Sequence, residues 1–162
     1  MTLTVVIVGG CGGMGKIFAK IFKNENFRVI ITDPNEEKGK ELANEINVEY
    51  SKDNKIARIA DITIVTVPIE KTISVIEEVA PIIKDNSLIV DFTSVKKSVC
   101  EALEKFTNKN AEIISIHPMF GPKIPSIEGQ VFILIPIRTE KWINFIKNFL
   151  IKYNAKFIET TP

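Results

Sequence analysis

The segment Thr4-Val5-Val6-Ile7-Val8-Gly9-Gly10-Cys11-Gly12-Gly13-Met14-Gly15 carries two signals in twelve residues. Thr4–Val8 is an almost wholly apolar, β-branched run, as expected of a strand covered on both faces. Gly10, Gly12 and Gly15 then fit the pattern G-x-G-x-x-G. From Gly13 to Lys23 the apolar residues Met14, Ile17, Phe18, Ile21 and Phe22 fall at helical spacing. Strand, glycine turn and helix in that order are the context a dinucleotide-binding fingerprint requires. In that reading Gly10 permits the tight turn, and Gly12 lets a pyrophosphate approach the backbone. Gly15 lets the helix pack closely on the strand. Phosphates would meet free N–H groups and the positive end of the helix dipole along the loop of Cys11, Gly13 and Met14.

The chain downstream repeats the alternation. Strands are predicted at Phe27–Thr32, Glu49–Ser51, Ile62–Val67, Leu88–Phe92, Glu112–Ile116, Val131–Ile135 and Lys156–Ile158. Between them lie helical stretches at Glu36–Ile46, Asn54–Ile59, Ile73–Ile83 (with Pro81 kinking or splitting it), Val95–Phe106 and Glu140–Ile151. His117–Gly129 reads as a loop. The expected fold class is α/β: a Rossmann-type, mostly parallel sheet with helices on both faces and extra strands at one edge. Residues 1–162 are expected to be one dinucleotide-binding domain.

Asp33 ends the second predicted strand, where a carboxylate would accept hydrogen bonds from the ribose hydroxyls of the cofactor. The same carboxylate opposes a 2′-phosphate. Two unit charges at about 4 Å repel by roughly 4 kcal/mol at an effective dielectric near 20. Pro34 and Asn35 follow, not arginine, so NAD is expected in preference to NADP. Thr66-Val67-Pro68, at the end of the fourth strand, is expected to wall the cofactor, with Thr72 on the following helix. Cys11 and Cys100 read as small packing residues.

Composition narrows the function classes. The 162 residues are 45% hydrophobic and 25% charged, with 21 Lys plus Arg against 20 Asp plus Glu. That balance argues against a chain built to hold nucleic acid or an acidic membrane, both of which need clustered cations. Two cysteines make no disulfide framework, and no cluster suggests a metal site. No segment approaches the roughly 20 apolar residues of a membrane span, and the N-terminus lacks the positive region of a signal peptide. A cytoplasmic location is expected.

The single histidine, His117, follows the sixth predicted strand in Ser115-Ile116-His117-Pro118-Met119-Phe120-Gly121-Pro122. Asp91-Phe92-Thr93-Ser94-Val95-Lys96 ends the neighbouring fifth strand. Two polar strand ends facing one crevice make a plausible reaction site. Lys96 is expected to support its loop or face solvent.

These motifs together resemble the prephenate/arogenate dehydrogenases of tyrosine biosynthesis: the glycine fingerprint, T-V-P, D-x-x-S-V-K and S-I-H-P-M-F-G. The resemblance covers essentially the whole chain, and H-P-M-F-G-P is its most specific part. It implies NAD-dependent oxidative decarboxylation of prephenate to 4-hydroxyphenylpyruvate, with prephenate or arogenate as the small-molecule substrate. It also implies catalytic roles for His117, as acceptor of the ring-hydroxyl proton, and for Ser94, which would orient the hydroxyl or the imidazole. The family further implies a C-terminal helical domain that makes a homodimer and holds the substrate carboxylates. The chain ends at Glu159-Thr160-Thr161-Pro162, so the expectation is a nucleotide-binding domain without that partner, binding NAD but inactive or nearly so. Two rival readings remain: a β-hydroxyacid dehydrogenase or imine reductase domain, and a non-catalytic nucleotide-binding module.

Overall fold

Alternation along the first strand organises the molecule. In a computed structural model describing residues 2–162, Val5 and Ile7 of β1 (Thr4–Val8) point into one hydrophobic core, and Val6 and Val8 into another. Both faces of the strand are therefore covered, as its unbroken apolar run requires. The first core is closed by α1 (Gly13–Asn24), α2 (Glu36–Ile46) and α5 (Trp142–Lys152), through Phe18, Phe22, Leu42, Trp142, Ile146 and Phe149. The second is closed by α3 (Ile69–Val79) and α4 (Lys97–Phe106), through Ile76, Val79, Val99 and Leu103.

The remaining strands are β2 (Arg28–Thr32), β3 (Glu49–Ser51), β4 (Ile62–Val65), β5 (Leu88–Asp91), β6 (Glu112–Pro118), β7 (Val131–Arg138) and β8 (Lys156–Glu159). They form one sheet in the order β3-β2-β1-β4-β5-β6-β7-β8. β3 to β6 in that order run parallel; β7 is antiparallel to β6, and β8 is parallel to β7. This is the expected Rossmann-type sheet with its extra strands at one edge. Strand order reverses between β1 and β4, the place where such sheets open a crevice at their carboxyl ends.

Side chains at the helix ends set several boundaries. Asn35 accepts a hydrogen bond from Lys38 N and starts α2, and Asn47 ends it at φ +56°. Glu112, on β6, caps α5 from a distance: its carboxylate accepts from the Thr139 hydroxyl and from Glu140, Lys141 and Trp142 N. That satisfies donors which no local side chain reaches.

Some boundaries depart from expectation. β4 ends at Val65, and α3 begins four residues earlier than predicted, at Ile69. Pro68 is the extended residue just before it, and its carbonyl accepts the first hydrogen bond of the helix, from Lys71 N at 2.9 Å. Pro81 does end that helix, which gives way at Ala80–Ile82 to a single 3-10 turn. β6 continues two residues beyond its predicted end, because His117 and Pro118 pair with Ile133 and Phe132 of β7. Among the described residues no helix is long and apolar enough to cross a membrane, and no group of three or more His, Cys, Asp or Glu could hold a metal ion.

Candidate active site

The turn after β1 is folded by backbone bonds. Gly9 N and Gly10 N both donate to Thr32 O, at 3.0 and 2.9 Å, and Gly12 N donates to Gly9 O at 3.1 Å. The left-handed residue is Gly9, at φ +84°, not Gly10. The tight turn expected of Gly10 therefore belongs to its predecessor. What Gly10 provides is proximity, because a Cβ there would lie 2.6 Å from Ile31 Cβ on β2. Gly15 has the expected packing role: its Cβ would meet Gly9 O at 2.7 Å and Thr66 Oγ1 at 2.8 Å.

Gly12 is different, since nothing in the protein lies closer to its Cβ position than Gly9 O at 3.4 Å. It is exposed, and it precedes a helix whose first turn has no acidic residue and no side-chain cap. Open space, free N–H donors and a helix N-terminus together suit an anion. Gly13 faces elsewhere: a Cβ there would lie 2.5 Å from Pro122 Cβ, so the loop after β6 sits on the glycine turn.

Two clefts open at the carboxyl edge of the sheet. One, of about 520 Å³, is lined by Gly9, Cys11, Gly12 and Asp33. The other, of about 300 Å³, is lined by Met14, Phe92, Thr93, Ser94, His117 and Phe120. Thr66, Val67 and Pro68 line both, and so form the wall between them. The Thr66 hydroxyl is within hydrogen-bond distance of Val8 O and Gly9 O, which fixes this wall to the glycine turn.

In the first cleft Asp33 is partly exposed, and its Oδ1 accepts from Asn35 N at 2.9 Å. Tyr50 donates to Asp33 O at 2.8 Å and steadies the strand end. Burial, then the Asp33 charge and a hydrogen bond to it, push the Cys11 thiol up to about 11. A thiol raised this far carries little thiolate at neutral pH. Lys38, Lys52 and Lys71 line the same cleft, a cationic fringe that reading only the residues next to Asp33 misses. Thr72 does not belong to the wall. It is fully buried, and its hydroxyl donates back to Pro68 O at 3.2 Å within the helix. With α3 starting at Ile69, its cleft-facing side chains are Lys71 and Val75.

In the second cleft His117 is half-buried near the end of β6. Ser94, on the turn between β5 and α4, is exposed on the same cleft. Burial pulls the His117 pKa below its ordinary 6.5; the Lys96 ammonium acts the same way, and Asp91 opposes it. A neutral imidazole in a cleft can accept a proton.

Lys96 supports its loop, as one of the two expectations had it, and does not face solvent. Its side chain is only 15% exposed, and it pairs at 3.1 Å with Asp91, which is fully buried. Its ammonium also donates to Ser115 Oγ at 2.7 Å and Ile116 O at 2.8 Å. The sequence held one usable signal: Asp91 ends an apolar strand and so had to be buried, which called for a cation nearby.

A sequence profile described as "Prephenate dehydrogenase, nucleotide-binding domain" matches residues 18–159. The chain belongs to that family. The match begins beyond the glycine turn, so it does not depend on the widely shared fingerprint. A Methanocaldococcus jannaschii protein named "Probable arogenate/prephenate dehydrogenase" is 43% identical over 99% of this chain. This prephenate dehydrogenase-family domain spans 37% of that relative's length. A Saccharomyces cerevisiae relative named "Prephenate dehydrogenase [NADP(+)]" is 29% identical over 84% of this chain and 30% of its own length. Among solved structures, the prephenate dehydrogenase of Aquifex aeolicus, in complex with hydroxyphenyl propionate and NAD+, superposes with a TM-score of 0.83. That likeness covers 100% of this chain and 61% of the other at 21% identity, and it supports the fold.

Proposed function

We infer that this chain is the cofactor-binding part, bearing the catalytic histidine, of a dehydrogenase that oxidatively decarboxylates prephenate to 4-hydroxyphenylpyruvate in tyrosine biosynthesis; arogenate is the alternative substrate. The observation that carries the reading is the shared Thr66–Pro68 wall, with an anion-ready glycine turn and Asp33 on one side and His117 and Ser94 on the other.

In this reading the N–H groups at the start of α1 hold the pyrophosphate over Gly12, and Asp33 holds the adenosine ribose. When bound, the nicotinamide supplies the hydride acceptor. His117 takes the proton of the substrate's ring hydroxyl, Ser94 orients that hydroxyl, and loss of carbon dioxide makes the ring aromatic. Depression of the His117 pKa favours the role, because the imidazole is unprotonated down to a lower pH. His117→Asn in the full-length protein tests the assignment. A loss of kcat of about 10²–10⁴-fold with NAD affinity retained supports it. An unchanged rate returns the chain to the rival reductase reading.

Asp33 favours NAD, and the Aquifex aeolicus structure contains NAD+. The lysine fringe and the yeast relative's name favour NADP as a second reading. Calorimetric titration with both cofactors decides: tighter binding of NADP reverses the preference. Because the chain is 37% of its relative's length, the remaining length is read as the helical domain that dimerises and grips the substrate carboxylates. This chain alone is then expected to bind NAD with little or no turnover.

A further inference from the structure

We propose that Lys96 is a positioning residue for His117: its buried ammonium locks the turn carrying Ser94 to the strand carrying His117, and sets a fixed positive charge behind the imidazole. An ammonium has three protons, and here each finds an acceptor: Asp91 Oδ2 on β5, Ser115 Oγ on β6 and Ile116 O on β6. The last of these is the peptide oxygen immediately before His117. The backbone of Val95 is drawn into the same knot, because Thr93 Oγ1 lies 2.8 Å from Asp91 Oδ2 and 3.0 Å from Val95 O. Both residues flanking Ser94 are therefore tied to Asp91 on β5, and Lys96 joins that knot to β6, which bears the histidine.

A buried ion pair of this kind contributes little net stability against an apolar replacement, so the energetic reason to keep it lies elsewhere. Asp91 Oδ1 is buried with no partner among the described residues, which a purely structural knot would not need. The charged groups facing His117 are Lys96 and Asp91, and the rest of its cleft carries no charge. Of the two, Lys96 has the larger influence, and it disfavours the imidazolium.

The chain's single histidine makes the test direct. The imidazole C2 proton is followed by NMR from acid to neutral pH in the wild type, in Lys96→Met and in Lys96→Met/Asp91→Asn. The double variant removes both charges, and so tolerates burial if the single variant does not. In Lys96→Met the His117 midpoint should rise by about half a pH unit or more, and in the double variant, which also loses the opposing Asp91 charge, it should rise by less. Lys96→Arg, which keeps the charge, should restore most of the wild-type midpoint. Unchanged midpoints overturn the proposal, as does failure of both variants to fold, which would make Lys96 a folding residue only. The inference rests on His117 as the base, but the titration reads the coupling itself. A shifted midpoint with His117→Asn still active would sink the catalytic reading and leave the coupling standing.

Discussion

His117 was legible as a candidate through its position at a strand end beside a polar turn, since a lone histidine is more often structural. Its surroundings were less legible. Lys96 read as a loop-supporting or solvent-facing residue because lysine is mostly exposed, and the burial signal in Asp91, at the end of an apolar strand, was not used. Thr72 failed for a related reason: α3 begins at Ile69, not Ile73, so Thr72 lies within its first turn, where the hydroxyl is buried and bonds back to Pro68 O. Asp33 carries a prediction at this scale. Asp33→Asn removes the charge that repels a 2′-phosphate while Lys38 and Lys52 remain beside it. NADP affinity should rise relative to NAD by about tenfold or more in paired titrations, since 1.4 kcal/mol of relieved repulsion is enough. An unchanged ratio would mean the lysines do not face the 2′ position.

Helices and strands were read well wherever pattern alone fixes them: α2 and β3 fall on their expected residues. Ends set by distant partners were not. β6 is longer than its apolar run because β7 lies alongside it, and an antiparallel neighbour cannot be read from β6 itself. Glu112 shows the same limit, capping a helix about thirty residues on. Burial would raise its carboxyl pKa, but the Thr139 hydroxyl and the backbone N–H groups of Trp142, Glu140 and Lys141 outweigh this and hold it below the ordinary value. A pKa lowered by folding contributes stability above the ordinary glutamate range, and that stability is lost as pH falls through the folded value. Glu112→Gln should therefore cost about 1–2 kcal/mol in urea denaturation at pH 7, and the deficit should shrink on acidification. Gly13→Ala tests another element-scale contact. The new methyl would displace Pro122, so both the affinity for NAD and the resonances of residues 119–127 should change, although Gly13 is not among the residues lining the Asp33 cleft.

At the level of the molecule, strands alternating with helices imply a mostly parallel sheet, which is why the fold class could be read without coordinates; the strand order and the crevice at β1/β4 come from the structure. The pairing of two clefts across one wall could not be read that way, because Thr66–Pro68 looks the same in sequence whether it bounds one space or two. If the glycine turn holds the dinucleotide, binding should stabilise the whole domain. At a cofactor concentration a hundred times Kd the gain is about 2.7 kcal/mol, or about 5–10 °C in Tm for a domain of this size. A flat melting temperature across an NAD series would contradict it.

His117 sits inside the β6–β7 ladder, not on the loop that follows. A base mounted on paired backbone cannot swing to meet its reactant; only its ring torsions are free. Lys96 ties the turn bearing Ser94 to the same ladder, so the imidazole and the hydroxyl keep a fixed spacing. A reactant must therefore fit the spacing it finds, and selectivity by shape follows from the rigidity of the frame.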